Sequence, residues 1–164
     1  GVSFVMVSKR AADFLKNKKC RTLALDLSGA LAHTAKNDTA FTPAVQIFYA
    51  FHEALLELKI QGVSKRIASY RSSNEMIQRG FEKLGIRFLI EKNQRSHVLT
   101  SLWTPAGLPY KRLHDELKKQ GFVIYAGQSS LEDKIFRVSN LGDMKRADIE
   151  RFFRAFKRIL SKTR

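Results

Sequence analysis

Cysteine is almost missing from this chain. Its 164 residues include one, Cys20, which excludes an internal disulfide and suits a reducing compartment. An inert thiol is the expectation there. Long apolar runs are also missing: none approaches the ~20 residues that a membrane helix requires. Residues 1–7 are too short, and lack the cleavage site, for a signal peptide. A soluble cytoplasmic protein is expected. Acidic residues are scarce, 15 against 30 lysines and arginines, and the net charge is +15. That excess permits attraction to nucleic acid, to anionic membranes or to other phosphates. The cations are spread widely, with clusters at Lys16 to Arg21, Lys111 to Lys119 and Lys145 to Lys162, so a solvated basic surface is the first expectation. The chemical signatures missing are equally informative. The four histidines His33, His52, His97 and His114 are scattered, and no CxxC or HExxH occurs. There is no GxSxG, P-loop or GxGxxG either.

What is present is a normal apolar fraction, 44%, in a chain long enough for one domain with a core. Gly1 to Ser8 alternates apolar residues on both faces and predicts a strand buried on both sides. It stands without a nearby partner and reads as the cut edge of something larger. Ala11 to Leu15 predicts a short helix, Thr22 to Leu27 an extended run, and Ser28 to Ala40 a loop. Thr42 suits an N-cap and Pro43 a first helical position, so a helix is expected to open there. Val45, Phe48, Tyr49, His52, Leu55 and Leu56 follow on one stripe at helical spacing, with His52 expected to be packed rather than functional. Gly62 interrupts. A second helix carries Val63, Ile67, Tyr70, Asn74, Ile77, Phe81 and Leu84 in alternating steps of four and three, with Asn74 its one polar member, and Gly85 caps its end.

From Ile86 the reading is strand, strand, helix, strand, strand, helix. Ile86 to Glu91 and His97 to Thr104 predict an antiparallel pair, and Pro105 to Pro109 a turn. Tyr110 to Gln120 predicts a helix stopped by Gly121. Phe122 to Tyr125 and Ile135 to Val138 are short apolar runs bounded by glycine. Lys145 to Leu160 predicts a last helix with Ile149, Phe152, Phe153, Phe156, Ile159 and Leu160 on one face. This order predicts a two-layer α+β unit. Arg137 interrupts an otherwise apolar strand, and a guanidinium there calls for a partner. Lys119 to Tyr125 loosely echoes the RNP1 pattern of RNA-binding strands, but the order of elements and the missing glycine argue against that fold.

Phe122-Val123-Ile124-Tyr125-Ala126-Gly127 and Phe136-Arg137-Val138-Ser139-Asn140-Leu141-Gly142 resemble motifs in the C-terminal part of the 2-aminoethylphosphonate–pyruvate aminotransferases. Gly1 to Phe4, Leu25 to Leu27, Phe41 to Pro43, Ser96 to Thr100 and the terminal helix follow in the family's order, so the likeness extends over essentially the whole chain. These are class V, fold-type I enzymes that use pyridoxal 5'-phosphate. The resemblance implies the C-terminal small domain of that fold, a two-layer antiparallel sheet with helices, plus one strand and linking helices from the large domain. Residues 1–41 would be a remnant strand and connecting segment of the large domain, and 42–164 the interdomain helices and the C-terminal α+β domain. It implies a homodimer, a small amino donor, a keto acid, and an N-terminal large domain of the same enzyme as partners. By the same resemblance Arg137 binds the anionic end of the substrate, and Thr42 reaches the cofactor phosphate of the neighbouring subunit.

The family's Schiff-base lysine lies in an Ser-x-Asn-Lys signature a few residues before the segment matching Gly1. No such signature occurs here, and Lys9, Lys16, Lys18 and Lys19 do not match its position. No catalytic residue is therefore assigned, and the isolated chain is expected to be inactive. Ala126 replaces a usual proline, Gln128 a lysine and Ser139 a glycine, while Ser28 to Leu31 replaces an aromatic, polar stretch. These departures bear on the substrate more than on the fold. The competing reading is a non-catalytic basic domain that binds nucleic acid or an acidic partner.

Overall fold

The computed structural model describes residues 2–16 and 18–163. The chain divides into two compact units, Gly1–Ile60 and Gln61–Arg164.

The first unit is helical. Helix α1 (Lys9–Leu15) starts where the Ser8 hydroxyl accepts a hydrogen bond from the Ala11 amide. Helix α2 (Leu27–Thr34) starts the same way, on the Asp26 carboxylate and the Gly29 amide at 3.0 Å. Two expectations fail here. Thr22 to Leu27 is a turn leading into α2, and Ser28 to Ala40 is not all loop, because Asp26 caps a helix through Thr34. Apolar alternation over six residues was too short a signal to outweigh a cap.

Nor does the expected strand at the start form: residues 2–8 belong to no strand among the described residues, and Gly1 lies outside them. A strand exists through its neighbour's hydrogen bonds, and the first unit holds no other strand among its described residues.

Helix α3 (Val45–Gln61) begins later than expected. The first amides bond to Pro43 and Ala44, leaving Thr42 outside the helix as an exposed residue rather than its N-cap. The predicted stripe is helical but not covered: Phe48 and Tyr49 are exposed, and so is His52, which is not packed as expected.

The second unit is the predicted two-layer α+β fold. Gly62, at φ +83°, separates α3 from α4 (Val63–Lys83). The α4 seam is buried only in its second half, at Asn74, Ile77 and Phe81, while Val63 and Ile67 are exposed. Its end is a Schellman motif: Gly85 takes φ +68°, its amide bonds to Glu82, and the Ile86 amide bonds to Phe81.

The sheet contains β1 (Leu99–Trp103), β2 (Tyr125–Ala126) and β3 (Ile135–Ser139), antiparallel in the order β1-β3-β2. The expected partner of β1, Ile86 to Glu91, is reduced to a bridge between Phe88 and Leu102 flanked by two backbone bonds. The strand expected at Phe122 to Tyr125 is shifted and short. Phe122 instead turns its ring onto Phe152, with centroids 5.5 Å apart.

Helices α5 (Tyr110–Lys118) and α6 (Arg146–Ser161), with α4, cover one face of the sheet. Pleating puts Thr100, Leu102, Phe136 and Val138 on that face. The core is aromatic: Phe81 packs edge-on against Phe136, Phe152, Phe153 and Phe156 at centroid distances of 5.0 to 6.0 Å. Edge-to-face contact suits the ring quadrupoles and adds to the area buried. No helix is long and apolar enough to cross a membrane among the described residues.

Candidate functional site

The site is built on the sheet face that the helices leave open. The same pleat that buries Phe136 and Val138 turns Arg137 the other way. It is half-buried at the centre of the sheet, opposite Ser101 on β1 and Tyr125 on β2. A polar row, Ser101–Arg137–Tyr125, therefore crosses all three strands.

The guanidinium is partly anchored. Its Nε donates to the Ala126 carbonyl oxygen at 2.8 Å, which answers the sequence argument that this cation needs a partner. No carboxylate pairs with it among the described residues. With Nε engaged, the two Nη groups remain as an end-on fork, the geometry that grips a carboxylate or phosphonate with two parallel bonds. Half-burial reduces solvent screening of such a pair relative to an exposed arginine. Anchoring to a backbone carbonyl also fixes the fork's direction without neutralising its charge.

Tyr110, the first residue of α5, reaches the chain just before β2. Its hydroxyl donates to the Ile124 carbonyl oxygen at 3.1 Å. Burial holds its phenol above the ordinary tyrosine pKa, and the positive charge of Arg137 opposes that shift. Tyr110 thus ties the start of α5 to the segment entering β2, whose Ala126 carbonyl holds Arg137.

At the other end of β3 lies a buried polar network. Asn74 on α4 is fully buried, and its Nδ2 donates to Thr100 Oγ1 and Asn140 Oδ1, both at 3.1 Å. Gln78 donates to the Asn74 Oδ1, and Arg95 donates to Gln78 at 3.3 Å and to Glu82 at 3.2 Å. Asn140, also fully buried, donates to the carbonyl oxygens of Tyr70 at 2.9 Å and His97 at 3.3 Å. No buried side-chain polar atom lacks a partner among the described residues. The network pins α4, β1 and the end of β3 together three residues from Arg137. A satisfied network of this kind specifies one arrangement, because any other leaves polar atoms stranded.

Sequence reasoning named Arg137 and noted Asn74 as the one polar member of its seam, but it missed Tyr110, Ser101 and the role of Asn140. A buried asparagine in an apolar helical seam was the available signal for the network. Thr42 lies in the first unit and Arg137 in the second. Thr42 is an exposed hydroxyl just ahead of α3. A lone exposed hydroxyl is able to donate one hydrogen bond to a phosphate, and by itself it does not make a cofactor site. Cys20 is exposed, its Sγ 3.1 Å from the Thr22 carbonyl oxygen.

No family model matches the chain. The chain is 34% identical over 156 residues to the 2-aminoethylphosphonate–pyruvate transaminase of Bacillus mycoides, a match covering 92% of this chain and 42% of that protein. In structure it is similar to an aspartate aminotransferase of subgroup IV from Thermus thermophilus, with a TM-score of 0.80 and 26% identity over 96% of this chain and 44% of that one. It is also similar to the ureidoglycine–glyoxylate aminotransferase of Bacillus subtilis, with a TM-score of 0.84 and 20% identity over 94% of this chain and 41% of that one. The resemblance read from the motifs therefore holds across the chain. The fold is that of the corresponding part of the fold-type I aminotransferases. The chain spans about two fifths of the length of the curated relatives it matches.

Proposed function

We propose that this chain is the C-terminal part of a pyridoxal-phosphate-dependent transaminase that moves an amino group from 2-aminoethylphosphonate, or a similar small amine, to pyruvate. The observation that carries the reading is Arg137: within a chain matched over nine tenths of its length to such transaminases, it is a backbone-anchored guanidinium on the open sheet face, with no carboxylate on its Nη groups among the described residues. Both substrates have an anionic end, a phosphonate on the donor and a carboxylate on the acceptor. One fork can hold each in turn, with the reacting carbon displaced toward the cofactor.

The cofactor, when bound, supplies the electron sink that lets nitrogen leave one carbon and join another. This chain's share is to bind and orient. Arg137 grips the anionic group, Ala126 and Tyr110 keep the fork aimed, and the Asn74–Asn140 network holds β3 in register. Thr42 contributes its hydroxyl to the cofactor phosphate across a homodimer interface. The Schiff-base lysine belongs to the preceding large domain, so the chain alone turns over no substrate. Residues 1–41 are the connecting segment of that domain, and the enzyme works in the cytoplasm.

The test is an assay of the enzyme expressed from the coding region that includes the sequence upstream of Gly1, with 2-aminoethylphosphonate and pyruvate, following alanine formation. Arg137→Ala removes two charge-assisted hydrogen bonds worth ~1.5–3 kcal/mol each. At ~1.4 kcal/mol per tenfold, kcat/KM should fall by about 10²–10⁴. Arg137→Lys keeps the charge and loses the fork, so it should stand between. Unchanged kinetics in Arg137→Ala would remove the assigned role.

A further inference from the structure

Helices α4 and α6 lie side by side on the outside of the second unit, away from the face that carries Arg137. Between them runs a groove of about 560 Å³. Its floor is Met76, Gly80, Ile149 and Phe153, and its rims carry Arg79 and Lys83 from α4 and Arg146, Arg154 and Lys157 from α6. All five cations are exposed, and a single carboxylate, Glu150, lines the same groove. Glu150 pairs with Arg146 at 2.8 Å, and Arg79 pairs with Glu75 at 3.6 Å. Lys83, Arg154 and Lys157 have no carboxylate partner among the described residues.

Concentrating like charges in this way costs self-repulsion unless an anion fills the space. We propose that the α4–α6 groove binds a nucleic-acid strand through its phosphates, independently of the transaminase reading. The occupant follows from charge spacing. Arg146 and Lys157 are eleven residues apart on one helix, which at ~1.5 Å per residue is about 16 Å. Neighbouring phosphates of one strand stand six covalent bonds apart, well beyond the ~3.4 Å axial rise of a duplex, so this span faces only a few phosphates, each flanked by cations from both rims. Three of the five are arginines, whose planar forks suit phosphate oxygens. The floor offers apolar surface rather than base-reading donors and acceptors, so binding is indifferent to sequence.

The experiment is fluorescence anisotropy with the full chain and a labelled single strand of about 20 nucleotides, longer than the ~4–16 that one binding module covers. Salt is varied between about 50 and 200 mM. Reversing three groove charges (K83E/R154E/K157E) should weaken binding at least ~10-fold at the low-salt end and reduce the log–log salt slope by about 2, at ~0.7 per lost phosphate contact. The comparison variant K111E/R112E/K118E makes the same charge change on α5 and should weaken binding less than ~3-fold. Circular dichroism and Trp103 fluorescence check that each variant folds. If the reversal variant does not fold, the neutral K83Q/R154Q/K157Q should give the same pattern at smaller size. Equal weakening by the α5 variant would overturn the groove in favour of diffuse charge, as would no binding at low salt. Displacement of the strand by polyglutamate at equal charge concentration would overturn the nucleic-acid assignment in favour of an acidic protein segment.

Discussion

Replacing Asn74 with leucine tests the buried polar network, because the two side chains share a heavy-atom count and a branch at Cγ and differ in polarity, leucine being the bulkier. Asn74 is fully buried and donates to both Thr100 Oγ1 and Asn140 Oδ1. The leucine variant leaves those two atoms without the donor they have among the described residues. A stranded buried polar atom costs ~1–3 kcal/mol, so the loss of two should be about 2–6 kcal/mol. That is a large share of the ~5–15 kcal/mol by which a domain is ordinarily stable. In urea, with a mid-range slope of ~2 kcal/mol per molar, the midpoint should fall by about 1–3 M. Trp103 is the chain's only tryptophan and lies on β1, so its fluorescence reports the unfolding of this unit. Thr100→Val should cost less, about 1 kcal/mol, since it removes one acceptor and leaves the Asn74–Asn140 bond intact. Combining Asn74→Leu with Asn140→Leu should cost less than the sum of the two single changes, because the residues share a bond. A midpoint for Asn74→Leu within about 0.3 M of the parent would refute the claim that the network holds α4 to the sheet.

Gly80→Ala should destabilise, although alanine is the better helix former by ~1 kcal/mol. A Cβ at Gly80 would stand 2.2 Å from the Phe153 ring, and overpacking of this kind costs ~1–3 kcal/mol. Adding Phe153→Leu should recover part of the loss in the same urea assay. The tyrosines should titrate apart. The Arg66 side chain beside Tyr70 holds its hydroxyl below the ordinary value, whereas burial holds Tyr110 above it. Phenolate absorbance should therefore lose its early component in Tyr70→Phe and its late one in Tyr110→Phe. Because the folded pKa of Tyr110 is raised, its contribution to stability is complete below the ordinary value, ~10, and declines as pH rises through the folded value. A late component that survives in Tyr110→Phe would contradict the assignment.

Much of the second unit was legible in the chain. The terminal glycines Gly85 and Gly121 end helices where expected because both need a positive φ. The α6 face was readable because Ile149, Phe152, Phe156 and Ile159 recur at helical spacing, and all four are buried. Arg137 was legible as a cation in an apolar strand. The network was half-legible: Asn74 stood out as the one polar member of its seam, but its partners Thr100 and Asn140 are 26 and 66 residues away.

The sequence by itself determined where the helices of the second unit lie, the α+β order and the resemblance to transaminases, since these rest on local periodicity, caps and motifs. Only the tertiary structure decided which cations share a surface. Arg79 and Lys83 meet Arg154 and Lys157 because Gly80 lets α4 approach the Phe153 ring of α6. It also decided that the Arg137 fork is anchored by a backbone carbonyl rather than a carboxylate. Local pattern sets which way a side chain leaves its own element, and the partner it then finds depends on packing between elements far apart in the chain.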